Sequence, residues 1–342
     1  MMGTLSFLLL GLMLSVYVLL DGYDLGVGAV SLIVARGDRE RQAVQSSIGP
    51  FWNGNEVWLI AAGGVLFALF PQAYASAFSG FYLPFMVVLW ALMFRGISFE
   101  LRNHFESDLW RGFWDVAFSL SSIALALLFG VAFGNLLRGF PLDAQGYFQG
   151  TFALLLNPYA VLVGVLAVAA LAQHGALYVA MRLSGPPADR AAALQGRLWW
   201  LVLVVYAAVT AATFAVRPAA EFGALPLLFV LPLAALAGLI LTRVCTRRGS
   251  PGRAFAASSV FVAGTLASGA ATIYPYLLPG YPAGGGGLSI FDSVPSPAAV
   301  GTALGVAVVG LIAVALYTTY VARKLAHPIV VGEEPAARPE GA

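Results

Sequence analysis

The sequence predicts an all-α polytopic membrane protein, and three observations carry that expectation. Sixty per cent of the 342 residues are apolar and only 10% are charged, against about one-quarter charged in soluble domains. Apolar stretches long enough to cross about 30 Å of hydrocarbon recur along the chain. The Lys and Arg residues between them fall almost entirely on one side. The expected unit is a single membrane domain over 1–326 with nine transmembrane helices, N-out and C-in, and a disordered cytoplasmic tail over 327–342.

The spans are expected near 4–35, 52–70, 77–98, 115–136, 158–182, 198–216, 225–243, 255–277 and 298–322. The first is long for one crossing, so it tilts or projects beyond the bilayer. No Lys or Arg precedes it, so a cleavable signal peptide is not expected. "SGPPADRAAALQG" and "PGYPAGGGGLSIFDSVPSP" are rich in Gly, Pro and Ser and read as surface loops. The tail, "HPIVVGEEPAARPEGA", is polar and Pro-rich.

With the N-terminus outside, the inner loops and tail hold Arg36, Arg39, Arg41, Arg102, Arg111, Arg182, Arg190, Arg197, Arg243, Arg247, Arg248, Arg253, Arg323, Lys324 and Arg338. The outer side holds Arg138 and Arg217, and Arg95 falls within a span. Fifteen against two is the positive-inside pattern.

Composition also excludes. One cysteine, Cys245, forms no internal disulfide and no thiolate cluster. No basic face exists to neutralise phosphates, so nucleic acid is not an expected partner. The scattered histidines, His104, His174 and His327, make no catalytic set. "GGGG" at 284–287 lacks the strand and lysine of a phosphate loop and reads as a flexible linker.

The informative residues are those that do not belong in lipid. "LLDGYDLGVGAVSL" (19–32) places Asp21 and Asp24 inside the first span, each costing roughly 2.5–3.5 kcal/mol on insertion scales. They are i and i+3, on one helix face. Gly22 and Gly26 form a small-xxx-small ridge and Gly28 thins the helix further, so neighbouring backbones can approach and bury the acids. "GPFWNGNEVWLIAAGG" brings Asn53, Asn55 and Glu56 to the inner start of the second span. Arg95 lies near the inner end of the third, and Gln173 and His174 at similar depth in the fifth. Arg95 is expected to pair with one of the acids, Asp24 before Asp21, because a bidentate pair lowers the cost of both.

Packing roles stand beside these. An acid–Arg pair also fixes helix register, the macrodipole favours Glu56 at a helix start, and His174 reads first as a packing hydrogen bonder. Trp52, Trp58 and Trp114 read as aromatic-belt residues. On its own the sequence indicates a buried inner-side proton or ion path without naming a reaction.

"DGYDLGVG" (21–28), "GPFWNGNEVWLIAAGGVLFALFPQAYASAFSGFYLPF" (49–85) and "FRGISFELR" (94–102) resemble subunit II of cytochrome bd-type quinol oxidases, bacterial terminal oxidases of the cytoplasmic (inner) membrane. "AQHGALYVAMR" (172–182), "YPYLLP" (274–279) and "SIFDSVPSP" (289–297) are similar to later landmarks, in order. The resemblance implies two four-helix bundles plus one peripheral helix. It implies a partner, subunit I, that ligates haems b and d while this chain ligates none, with room for a bound quinone and a small accessory subunit. It implies quinol and O2 as substrates of the complex, protons taken from the cytoplasm, and a role for this subunit in proton delivery and haem-subunit stability. Asp24 matches the second acid of the signature and Trp52 the tryptophan of the second motif. Asn53 stands where some relatives have Asp and cannot ionise, so Glu56 is the expected titrating group. The competing expectations are a proton-coupled secondary transporter and a purely structural scaffold. Neither inverted repeats nor clearly broken helices support the transporter.

Overall fold

The computed structural model describes residues 2–217, 227–282, 286–291, 297–324 and 329–330. Its helices are α1 (Met2–Val34), α2 (Asp38–Ile48), α3 (Trp52–Leu69), α4 (Pro71–Gly80), α5 (Tyr82–Leu101), α6 (Asp108–Arg138), α7 (Phe152–Leu155), α8 (Pro158–Arg182), α9 (Pro186–Val216), α10 (Leu227–Arg247), α11 (Pro251–Ile273) and α12 (Pro297–Lys324). Eight of them, α1, α5, α6 and α8 to α12, are long and apolar enough to cross a membrane. The second expected span is α3, whose 18 residues are fewer than in any of α1, α5 and α6 and carry Asn53, Asn55 and Glu56 in the first two turns.

Local chemistry explains the helix starts. Proline opens α4, α8, α9 and α11, where its missing N–H and fixed φ cost nothing. The Asn157 side chain caps α8 by accepting from the amide of Ala160 at 3.0 Å, satisfying a donor that the first turn leaves free. The same rule corrects one expected loop. "SGPPADRAAALQG" is mostly the first turns of α9, because Pro186 sits in the first turn, Asp189 suits its positive end, and Ala, Leu and Gln follow.

Two groups of helices share the interior. In the first, α1 packs on α3 and α6, and α5 packs on α6. In the second, α8 packs on α9 and α11, and α10 on α11. The groups meet where α8 lies against α1 and α6. At that seam Gly26 and Gly175 bring backbones into contact. A Cβ on Gly26 would stand 1.9 Å from the Leu171 carbonyl oxygen, and one on Gly175 would stand 2.1 Å from the Gly26 carbonyl carbon. A Cβ on Gly28 would stand 2.0 Å from Ser122 Oγ on α6. Helix α12 is mostly exposed and touches chiefly α3 and α1.

The second expected loop is also more ordered than its composition suggests. Strands β2 (Tyr276–Pro279) and β3 (Gly287–Ser289) pair antiparallel, and Leu277, Leu278, Leu288 and Ile290 are buried. Gly286 and Gly287 hold φ of 77° and 137°, so the end of the glycine run is a turn into a strand rather than a linker. Facing it, Asp143 accepts from the amides of Tyr147 at 2.8 Å and Gln145 at 3.0 Å. These donors, Tyr147 foremost, hold its carboxyl below the usual carboxylate range. Within the expected disordered tail, β4 (Ile329–Val330) pairs in parallel with β1 (Leu183–Ser184). The remainder of that tail, and most of "SIFDSVPSP", lie outside the described residues.

Candidate functional site, a buried charge cluster

Asp21 and Asp24 lie on the stretch of α1 that the glycines press against its neighbours, and both are fully buried. Arg95 reaches them from α5, also fully buried. Its partner is Asp21 rather than the expected Asp24. Nη1 donates to Asp21 Oδ2 at 2.9 Å and Nη2 to Asp21 Oδ1, so one planar fork meets one carboxylate. Glu56, on α3, places Oε1 3.4 Å from Arg95 Nη2, within ion-pair reach but without a hydrogen bond. The Glu56 side chain is 25% exposed, so it is the one carboxylate of the three with an opening outward.

Asp24 is held differently. Asn55 Nδ2 donates to Asp24 Oδ2 and to the Tyr23 hydroxyl, both at 2.8 Å. Asp24 Oδ1 is buried with no hydrogen-bond partner. The asparagine that joins the cluster is therefore Asn55. Asn53 is exposed on the far face of α3, because two residues along a helix turn a side chain by about 200°.

His174 belongs to an adjoining aromatic group. Its Nδ1 is hydrogen-bonded to Ser258 Oγ, and its ring stacks on Phe255 at 4.4 Å. Tyr23 stacks on Tyr178 at 4.3 Å and connects this group to Asn55. With Nδ1 bonded to Ser258 and one ring face covered by Phe255, the enclosure is that of a packed core histidine, its Nε2 buried without a hydrogen-bond partner.

The motif tryptophans also sit inside the fold. Trp58 and Trp114, expected at the membrane boundary, are buried against neighbouring helices. Trp52 is half-buried and stacks on Phe99 at 5.2 Å, with its ring edge lying against Gly96.

Sequence reasoning passed over a second charged cluster. Asp115, 2% exposed, accepts from Arg102 Nε at 2.7 Å, Gln45 Nε2 at 3.1 Å and Arg41 Nη1 at 3.1 Å. Arg102 and Arg111 both reach Asp38. These bonds pin the short helix α2 to α5 and α6. The available signal was an acid seven residues into an apolar helix, which reads instead as the edge of a span.

Chemically, the main cluster contains one guanidinium and three carboxyl groups, so it has proton-binding capacity beyond the charge that Arg95 balances. Asp24 and Glu56 each present an oxygen without a hydrogen-bond partner, and such oxygens are the atoms able to take a proton.

Residues 2–325 match the family model for cytochrome bd terminal oxidase subunit II. The chain is 34% identical over 345 aligned positions to the Escherichia coli (strain K12) cytochrome bd-I ubiquinol oxidase subunit 2, covering 92% of this chain and 91% of the relative. It is 33% identical to a probable cytochrome oxidase subunit 2 of Haemophilus influenzae, covering 88% of each. Its fold is similar to a chain in the structure of bd oxidase from Geobacillus thermodenitrificans, with a TM-score of 0.79 and 18% identity over 95% of this chain and 98% of that one.

Proposed function

This chain belongs to the cytochrome bd terminal oxidase subunit II family, and from that premise we propose that its buried carboxylates conduct protons for a quinol:O2 oxidoreductase. As a family member it is a subunit of a cytochrome bd quinol oxidase and a multi-pass protein of the bacterial inner membrane. The proposal adds the role of its own residues. The partner, subunit I, would hold haems b and d and supply the redox chemistry of quinol oxidation and O2 reduction. This subunit stabilises that partner and supplies protons from the cytoplasmic side, with the N-terminus outside.

The observation that supports it is the fully buried Asp21–Arg95 pair with Asp24 and Glu56 beside it. Burying carboxylates is costly, and removing one partner of a buried pair costs about 3–5 kcal/mol. A subunit that only filled space would be stabler with hydrocarbon there. In the proposed roles, Glu56 takes the proton at the more open face and Arg95 sets the local field while Asp21 neutralises it. Asp24, oriented by Asn55, receives the proton on Oδ1.

The test is purification from membranes in mild detergent. Co-purification with a haem-bearing partner and quinol-dependent oxygen uptake is the expected result. Isolation as a haem-free chain that transports a solute alone would overturn the assignment and favour a proton-coupled transporter.

A further inference from the structure

Arginines at the basic end of the bundle are not all treated alike. Around α2, α5 and α6 they meet acids, as Arg41 and Arg102 do at Asp115 and Arg102 and Arg111 at Asp38. At the start of α9, Arg190 likewise meets Glu40, but Arg197 further along α9, and Arg247, Arg248 and Arg253 at the facing ends of α10 and α11, are exposed. Among the described residues none of these four has an acid within ion-pair distance.

Arg243 shows how the α9–α10 seam is built. Its guanidinium carbon lies 5.6 Å from the centre of the Trp199 ring, and Nη1 donates to the Gly196 carbonyl at 3.4 Å. Its Nε is buried without a hydrogen-bond partner. Gln195, 1% exposed, has both amide atoms unbonded. Arg197 follows Gly196 directly, and Arg247 is one turn beyond Arg243 on the same face of α10.

Below these cations the two helices present hydrocarbon. Trp200, Leu201 and Val204 are exposed and stand three, four and seven residues after Arg197, on one stripe of α9. Ile240 is likewise exposed, one turn from Arg243 toward the middle of α10. Cations above an apolar stripe match a ligand with an anionic head and a long apolar tail. A soluble anion or an acidic peptide would satisfy only the upper half.

We propose that the α9–α10 end binds an anionic phospholipid. Arg197, Arg243 and Arg247 hold the headgroup phosphate, and the Trp200–Val204 stripe takes an acyl chain. The site is separate from the carboxylate cluster and does not depend on the proton route.

The test uses the intact oxidase complex in mild detergent, with labelled phosphatidylglycerol and labelled phosphatidylcholine as probes. The Arg197→Gln/Arg247→Gln double variant changes two exposed positions, and thermal melting of the complex confirms that it folds. The parent is expected to hold phosphatidylglycerol more tightly than phosphatidylcholine. The double variant is expected to lose about tenfold or more of the phosphatidylglycerol affinity while its phosphatidylcholine binding is unchanged. Equal retention of both lipids by the parent, or undiminished phosphatidylglycerol binding by the variant, overturns the proposal. Displacement of the lipid by millimolar inorganic phosphate would also overturn it, since it would identify a free-anion site.

Discussion

Arg95 forks onto both oxygens of Asp21, and neither side chain reaches solvent. Replacing either residue alone, Asp21→Asn or Arg95→Leu, leaves its partner's buried charge without its hydrogen-bonded counter-ion, with only Glu56 at 3.4 Å remaining near Arg95. The expected cost is about 3–5 kcal/mol, read as loss of assembled, haem-loaded complex. Combining Asp21→Asn with Arg95→Leu is expected to cost less than the two single changes summed. Strict additivity in thermal melting would count against direct pairing.

Asn55 and Asn53 give opposite expectations on one helix. Asn55→Leu removes the donor shared by Asp24 and Tyr23 and is expected to destabilise by about 1–3 kcal/mol. Asn53→Ala removes an exposed side chain and is expected to stay within about 0.5 kcal/mol. Denaturation midpoints of the two variants check this ordering.

Glu56→Gln keeps the size of the side chain and removes its ability to carry a proton. Oxygen reduction and proton uptake by the assembled complex are expected to slow together, with Glu56→Asp partly restoring both. Unchanged turnover and uptake in the Gln variant would sink the proposed role.

Gly26→Ala is expected to separate α1 from α8, because its Cβ would stand 1.9 Å from a backbone oxygen. The cost of such overpacking is about 1–3 kcal/mol or more. Gly63→Ala, with nothing within 4 Å of the new carbon, is the matched control and is expected to be neutral or slightly stabilising through helix propensity.

The 141–149 loop has a predicted acid sensitivity. The Asp143 carboxyl is held below its ordinary range by amides that bond only its ionised form. Its contribution is therefore complete above the unfolded carboxylate value of about 3.9 and is lost as pH falls through the lower folded value. Amide exchange at Gln145 and Tyr147 is expected to quicken relative to neighbouring helices on acidification. Asp143→Ala should abolish that dependence.

Much of this was legible in the residues, for identifiable reasons. Span positions follow from hydropathy, which acts locally, so α1, α8 and α11 fall close to where composition puts them. The glycine ridge and the gathering of Asp21, Asp24, Glu56 and Arg95 were legible from spacing and from the order of the spans. The partner of Arg95 was not, because Asp21 and Asp24 lie within one turn of α1, and how α5 packs beside them is not written in the spacing. Asn53 and Asn55 differ by helix rotation, which a motif string does not encode. The hairpin of β2 and β3 hid behind glycine and proline, residues that signal turns equally well in ordered and open segments. The α2 latch through Asp115 depends on residues 70 and more positions apart, beyond the reach of any local pattern.

The contact between Gly26 and Gly175 has a mechanical consequence. Two helices that touch backbone to backbone have almost no slack at the point of contact and progressively more toward their ends. Rocking of α1 against α8 therefore has its fulcrum there, two residues beyond Asp24. The carboxylates sit near the hub of the lever, where displacement is smallest, while the loops at either face travel furthest. A charge placed at a fulcrum keeps its distances while the assembly around it breathes.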